Sequence, residues 1–133
     1  MARTLKEPIT VQVFGIDCVV QLNRYRDSGR LALILLEKEA REEMTVATVN
    51  MPEIFLQSEE VLLKTWSENE GVLEALQEAG VVEPTGLTYR SGYVEVPKCL
   101  VTVPIPEKFR EGHILMRHPE RRRSKEPEVD REM

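Results

Sequence analysis

The chain has 133 residues, 41% of them apolar and 31% charged, with a net charge of −5. That is the size and balance of one folded domain with, at most, a short appendage. No apolar stretch approaches the roughly 20 residues needed to cross a bilayer, and the opening MARTLKEPIT lacks the apolar core of a secretory signal. The expectation is a cytoplasmic protein with no membrane contact. Its two cysteines, Cys18 and Cys99, are then reduced thiols rather than a disulfide.

The first half is strand-like. Ile9 to Val13 alternates with period two, and Gly15-Ile16-Asp17 supplies a reversal. Cys18, Val20 and Leu22 then share one face, with Gln21 and Asn23 on the other. Asp27-Ser28-Gly29 is turn chemistry. Leu31 to Leu36 is apolar on both faces, as a central strand would be, and Thr45 to Val49 is β-branched enough for a fourth strand. Short turns between these runs predict an antiparallel meander.

Pro52 ends that pattern, because proline cannot donate to a strand ladder. Val61 to Trp66 predicts a short fifth strand. Ser67-Glu68-Asn69-Glu70 has the spacing of a helix capping box, in which serine and glutamate satisfy each other's backbone donors. Val72, Leu73, Leu76 and Ala79 recur at helical spacing, and Gly80 falls where a terminating glycine belongs. The prediction is one helix over about 68–79. Glu83-Pro84-Thr85-Gly86 and Arg90-Ser91-Gly92 read as loops. Tyr93 to Val103 reads as a last strand, placed at an edge by Pro97.

The expected fold class is therefore α+β: an antiparallel sheet of five or six strands with one helix on one face. The predicted inward set is Val20, Leu22, Leu33, Leu35, Val49, Trp66, Val72, Leu73 and Leu76. Residues 1–106 form the predicted domain. They carry 10 Lys and Arg against 16 Asp and Glu, whereas residues 107–133 carry 8 against 7. With only Ile114-Leu115-Met116 as an apolar run, 107–133 reads as a mobile charged tail.

Few places in the chain carry residue types that permit chemistry. Metal binding needs convergent ligands, and the chain offers two histidines, His113 and His118, and no cysteine pair. Cys99 has no elbow or helix start beside it, and Ser91 is a turn residue, so neither is expected to be a nucleophile. There is no phosphate-cradling glycine motif. The expectation is no catalytic site, no metal and no cofactor. A pocket around Asp17, Cys99 and Tyr93 would be the sign of an enzyme.

Two surface features remain. Glu70, Glu74 and Glu78 stack at i, i+4 and i+8, with Glu68 alongside, as a candidate face for a protein with a basic surface. Arg117, Arg121, Arg122, Arg123 and Lys125 form a basic cluster that could hold nucleic acid through the tail. An acidic body argues against nucleic acid anywhere else. Self-association through an exposed edge strand is a third class, to which an edge holding Pro97 is poorly suited.

The block Lys64 to Leu76, with Glu83-Pro84-Thr85-Gly86 and Ser91-Gly92-Tyr93, resembles a family of small uncharacterised proteins encoded on plasmids, conjugative elements and phages. Gly29 to Leu33 and Ala47 to Pro52 resemble that family's strands, so the similarity spans about residues 25–100. It supplies no catalytic or binding residues. It implies an accessory protein of a mobile element. Small acidic accessory proteins of that kind often inhibit host defence, as anti-CRISPR and anti-restriction proteins do.

Overall fold

The first hairpin, over residues 10–24, shows how local chemistry starts the fold. Phe14 and Gly15 have φ of 55° and 75°, the two positive values that a two-residue type I′ turn requires. The chain therefore reverses at Phe14-Gly15, between Val13 and Ile16, rather than at Gly15-Ile16-Asp17.

The computed structural model describes residues 7–117. In chain order the strands are β1 (Glu7–Pro8), β2 (Thr10–Val13), β3 (Ile16–Arg24), β4 (Leu31–Glu37), β5 (Glu43–Val46) and β6 (Glu60–Leu62). The helix α1 (Val72–Glu78) precedes β7 (Val82–Ser91), β8 (Val94–Val101), β9 (His113–Ile114) and β10 (Met116–Arg117).

β2, β3, β4 and β5 pair antiparallel in sequence order, which is the predicted meander. β4 is its most covered strand, with Leu31, Ala32, Leu33, Leu35 and Leu36 all buried. β6, β8 and β7 form a second antiparallel set. Residues 47–49 stitch the two together. The Ala47 amide donates to Leu33 of β4, the Val49 amide donates to Leu62 of β6, and Thr48 bridges Leu63. The strands thus run β2-β3-β4-β5-β6-β8-β7, and α1 packs against both end strands, β2 and β7. All of this encloses one core that draws on both sets and the helix. Of the predicted inward set, Val20, Leu22, Leu33, Leu35, Val72 and Leu76 are buried, while Val49, Trp66 and Leu73 are half-buried.

Several further expectations change. Residues 82–91 are a strand rather than two loops, and β8 with Pro97 is central, flanked by β6 and β7. Pro97 is tolerated because it opposes Thr88 at a position that needs no bond to β7. Its carbonyl instead accepts the Leu63 amide at 3.1 Å, one residue past the end of β6. The missing donor costs no interior ladder bond.

The capping box does not form. Ser67 has φ 59°, which is incompatible with the extended backbone of an N-cap. Ser67–Asn69 makes a single 3-10 turn, Gly71 follows at φ 90°, and only then does α1 begin. The far end matches expectation. The Gly80 amide donates to Gln77 and the Val81 amide to Leu76, at 3.0 and 2.9 Å, the paired bonds of a Schellman ending.

Residues 107–117 do not leave the domain. β9 continues along the edge of β3 where β2 stops, with Gln21 opposite Ile114 and Leu22 opposite His113. β10 pairs with β1. Leu115 is buried between them, its amide donating to Val20 and its carbonyl accepting from Ile9. The Glu111 carboxylate accepts the Arg24 amide, and the Arg24 guanidinium lies 4.7 Å from the centre of the Phe109 ring. The tail reading of 107–117 is therefore corrected. His118, Arg121, Arg122, Arg123 and Lys125 lie outside the described residues.

Candidate binding surface

Glu68, Glu70, Glu74 and Glu78 are all exposed, but they do not form one column. Only Glu74 and Glu78 lie on α1, about 6 Å apart along it from the 1.5 Å rise per residue. Glu70 has non-helical φ and ψ of −59° and 129°, and Gly71 turns the backbone between it and the helix. The i, i+4, i+8 alignment is broken by the same glycine that delays the helix.

Glu68 is also not a free carboxylate. Lys64 Nζ sits 2.6 Å from its Oε2. That bond, helped by the Glu68 amide and the Ser67 hydroxyl, lowers the carboxyl from 4.5 to about 2. A depressed folded-state value means stability that is present above 4.5 and lost as pH falls through about 2. The share is small, because Glu68 is 56% exposed and solvent screens the pair. Changing Lys64→Gln should return the Glu68 titration, followed by NMR, to the ordinary glutamate range. An unchanged titration would show that the turn's own donors hold it down.

A feature with no periodic signal in the sequence lies at residues 50–60. Arg30 spreads its guanidinium over three backbone carbonyls, those of Met51 (2.8 Å), Ile54 (2.5 Å) and Pro52 (3.4 Å). Asn50 donates to Asp27 at 3.0 Å and accepts from the Ser28 hydroxyl at 3.2 Å. At the other end Glu60 accepts the Gln57 amide at 2.9 Å. This brace presents Phe55, which is 73% exposed, between half-buried Ile54 and Leu56. The fork of an arginine can hold several carbonyls at once, which a lysine cannot do in the same geometry. Glu53 and Glu59 flank Phe55 in the chain and are exposed, and Asp27 is tied to the same loop through Asn50. The clue in the sequence was the apolar triplet Ile54-Phe55-Leu56 among acidic residues, but nothing local linked it to Arg30.

The residues considered for catalysis are not brought together. Cys99 is buried in β8, and burial, with a smaller contribution from Glu83, pushes its thiol up to about 11. Burial likewise raises the Cys18 thiol, with Glu37 and Asp17 adding to it. Thiols held protonated in this way are poor nucleophiles. Tyr93 stands free at the β7–β8 turn, and Asp17 accepts from Gln12 at the start of β3. Ser91 ends β7 opposite Val94. His113, in β9, packs its ring 6.3 Å from that of Phe109. Among the described residues no group of three or more His, Cys, Asp or Glu is placed to hold a metal ion. Among the same residues no helix is long and apolar enough to cross a membrane.

No curated protein and no solved structure matches the chain. One family model does, from within β3 to just past β10, and it leaves out the β1 and β2 strands that precede it. By this match over residues 19–118, the chain belongs to the family described as a domain of unknown function, DUF4313.

Proposed function

We propose that this protein is a non-enzymatic accessory protein of a mobile genetic element, acting in the cytoplasm by binding another protein and inhibiting a host defence system. The observation that carries the binding reading is the braced loop around Phe55. Exposing a large aromatic to water is unfavourable, and here six side-chain hydrogen bonds, from Arg30, Asn50, Ser28 and Glu60, fix the loop that exposes it. A rigid aromatic anchor loses little entropy on docking, and such residues dominate binding energy. The carboxylates of Glu53, Glu59 and Asp27 suit a partner whose apolar pocket has a basic rim. The mobile-element context rests on the resemblance of residues 25–100 to proteins of plasmids, conjugative elements and phages.

A photo-crosslinking amino acid in place of Phe55 tests this in bacterial lysate. One crosslinked protein is expected, displaced by excess wild-type protein and far less by Phe55→Ala. An anchor of this kind is worth about 2 kcal/mol or more, roughly 30-fold in affinity. Equal displacement by both proteins would remove Phe55 from the interface. The crosslink should also survive removal of residues 118–133. Its loss there would favour nucleic-acid binding through Arg121, Arg122, Arg123 and Lys125.

A further inference from the structure

β7 is an end strand, and among the described residues nothing pairs with its outer edge. The two halves of that edge differ. In the first half Pro84 turns its donorless nitrogen outward, and the register with β8 shifts between Pro84 and Thr88. Proline and bulges are the devices that blunt an edge against pairing. The second half has neither. Thr88, Tyr89, Arg90 and Ser91 keep unbroken register with Pro97, Val96, Glu95 and Val94.

The turn fixes which groups face out. Gly92, at φ 64°, and Tyr93 form a two-residue hairpin loop, so Ser91 and Val94 exchange both backbone bonds and the pattern alternates from there. Tyr89 bonds to Val96. The N–H and C=O groups of Thr88 and Arg90 therefore point away from β8, into solvent. The Leu63 bond to the Pro97 carbonyl fits this phase, since it puts the odd-numbered residues of β8 toward β6.

We infer that residues 87–91 of β7 pair antiparallel with the same residues of a second copy of this chain, around a two-fold axis at Tyr89. Two-fold pairing must set outward-facing residues opposite each other, which leaves few registers. Centring on Arg90 would oppose two like charges. Centring on Thr88 or on Gly86 would draw Thr85 and Gly86, inside the register shift, into the ladder, whereas centring on Tyr89 reaches no further than Leu87 at its border. Centring on Tyr89 sets Thr88 against the partner's Arg90 twice, giving four backbone bonds. It also sets Tyr89 against its own copy and Leu87, which is 53% exposed, against Ser91. Arg90 is the lone charge in the stretch and meets a neutral residue. A contact of five residues per chain is smaller than the roughly 1,000 Å² of a stable interface, so the dimer is weak and concentration-dependent.

This surface is separate from the Phe55 loop, and the test keeps the two apart. Sedimentation of the full chain over a wide concentration range should show a rise from one chain mass to two, with slowed amide exchange at Thr88 and Arg90 in concentrated samples. Thr88→Pro removes an outward donor without removing a bond to β8, and Leu87→Lys puts a charge beside the partner's strand. Each should leave a monomer, while Phe55→Ala should dimerise as wild type does. If Thr88→Pro unfolds, Leu87→Lys carries the test. A wild-type chain that stays monomeric with freely exchanging Thr88 and Arg90 amides overturns the inference. So does a dimer that survives Leu87→Lys.

Discussion

Ending the chain at residue 106 should abolish cooperative folding, whereas ending it at residue 117 should preserve it. The segment between them puts Leu115, 1% exposed, into the main core. It also gives the second half of β3 an edge partner through β9, gives β1 one through β10, and supplies the Glu111 carboxylate that accepts the Arg24 amide. Leu115→Ala alone should cost about 2–5 kcal/mol, the range for a leucine removed from a packed interior. That is a large part of the 5–15 kcal/mol that holds a typical domain together. Losing the whole segment also leaves the Val20 carbonyl and the Ile9 amide without their bonds to Leu115. Far-UV circular dichroism and urea unfolding of the two truncations would decide. A sharp unfolding transition in the 1–106 protein would restore a domain boundary there.

Why that segment escaped the sequence is physical. β9 and β10 have two residues each, too few for a period-two pattern, and the surrounding lysines, arginines and glutamates resemble a solvated tail. Their pairing depends on β3 having an edge that β2 leaves uncovered beyond Val19, a tertiary fact with no local trace. The meander was readable because β2 and β3 alternate, β4 is an unbroken apolar run, and short turns join them. The β7–β8 hairpin failed for the opposite reason. Pro84, Gly86 and Pro97 are strong breakers taken singly, yet Pro84 lies at an edge and Pro97 faces Leu63 just past the end of β6. The brace around Phe55 joins residues 21 to 24 positions apart through arginine and asparagine side chains, and period-based reading has no means to see it.

Asn69→Ala should cost about 2–4 kcal/mol, although the sequence marked this position only as part of a helix capping box. Asn69 is fully buried. Its Oδ1 accepts the Thr45 hydroxyl at 2.6 Å and its Nδ2 donates to the Val46 carbonyl at 2.9 Å. These bonds pin the turn between Trp66 and Gly71 onto β5, and they hold Glu68 and Glu70 where they are. Alanine would leave a hydroxyl and a carbonyl without these partners, and an unmet buried polar group costs more than the bond it replaces was worth. Thr45→Val should cost less, since it removes a donor and leaves an acceptor that tolerates the loss better. The double variant is the informative one. With both partners apolar, its cost should fall short of the two single costs added together by at least about 1 kcal/mol, as expected for groups in one network. Urea unfolding of all four proteins gives this difference directly. Costs that simply add would mean that the 2.6 Å contact contributes nothing to stability, and that burial alone explains why Asn69 is turned inward.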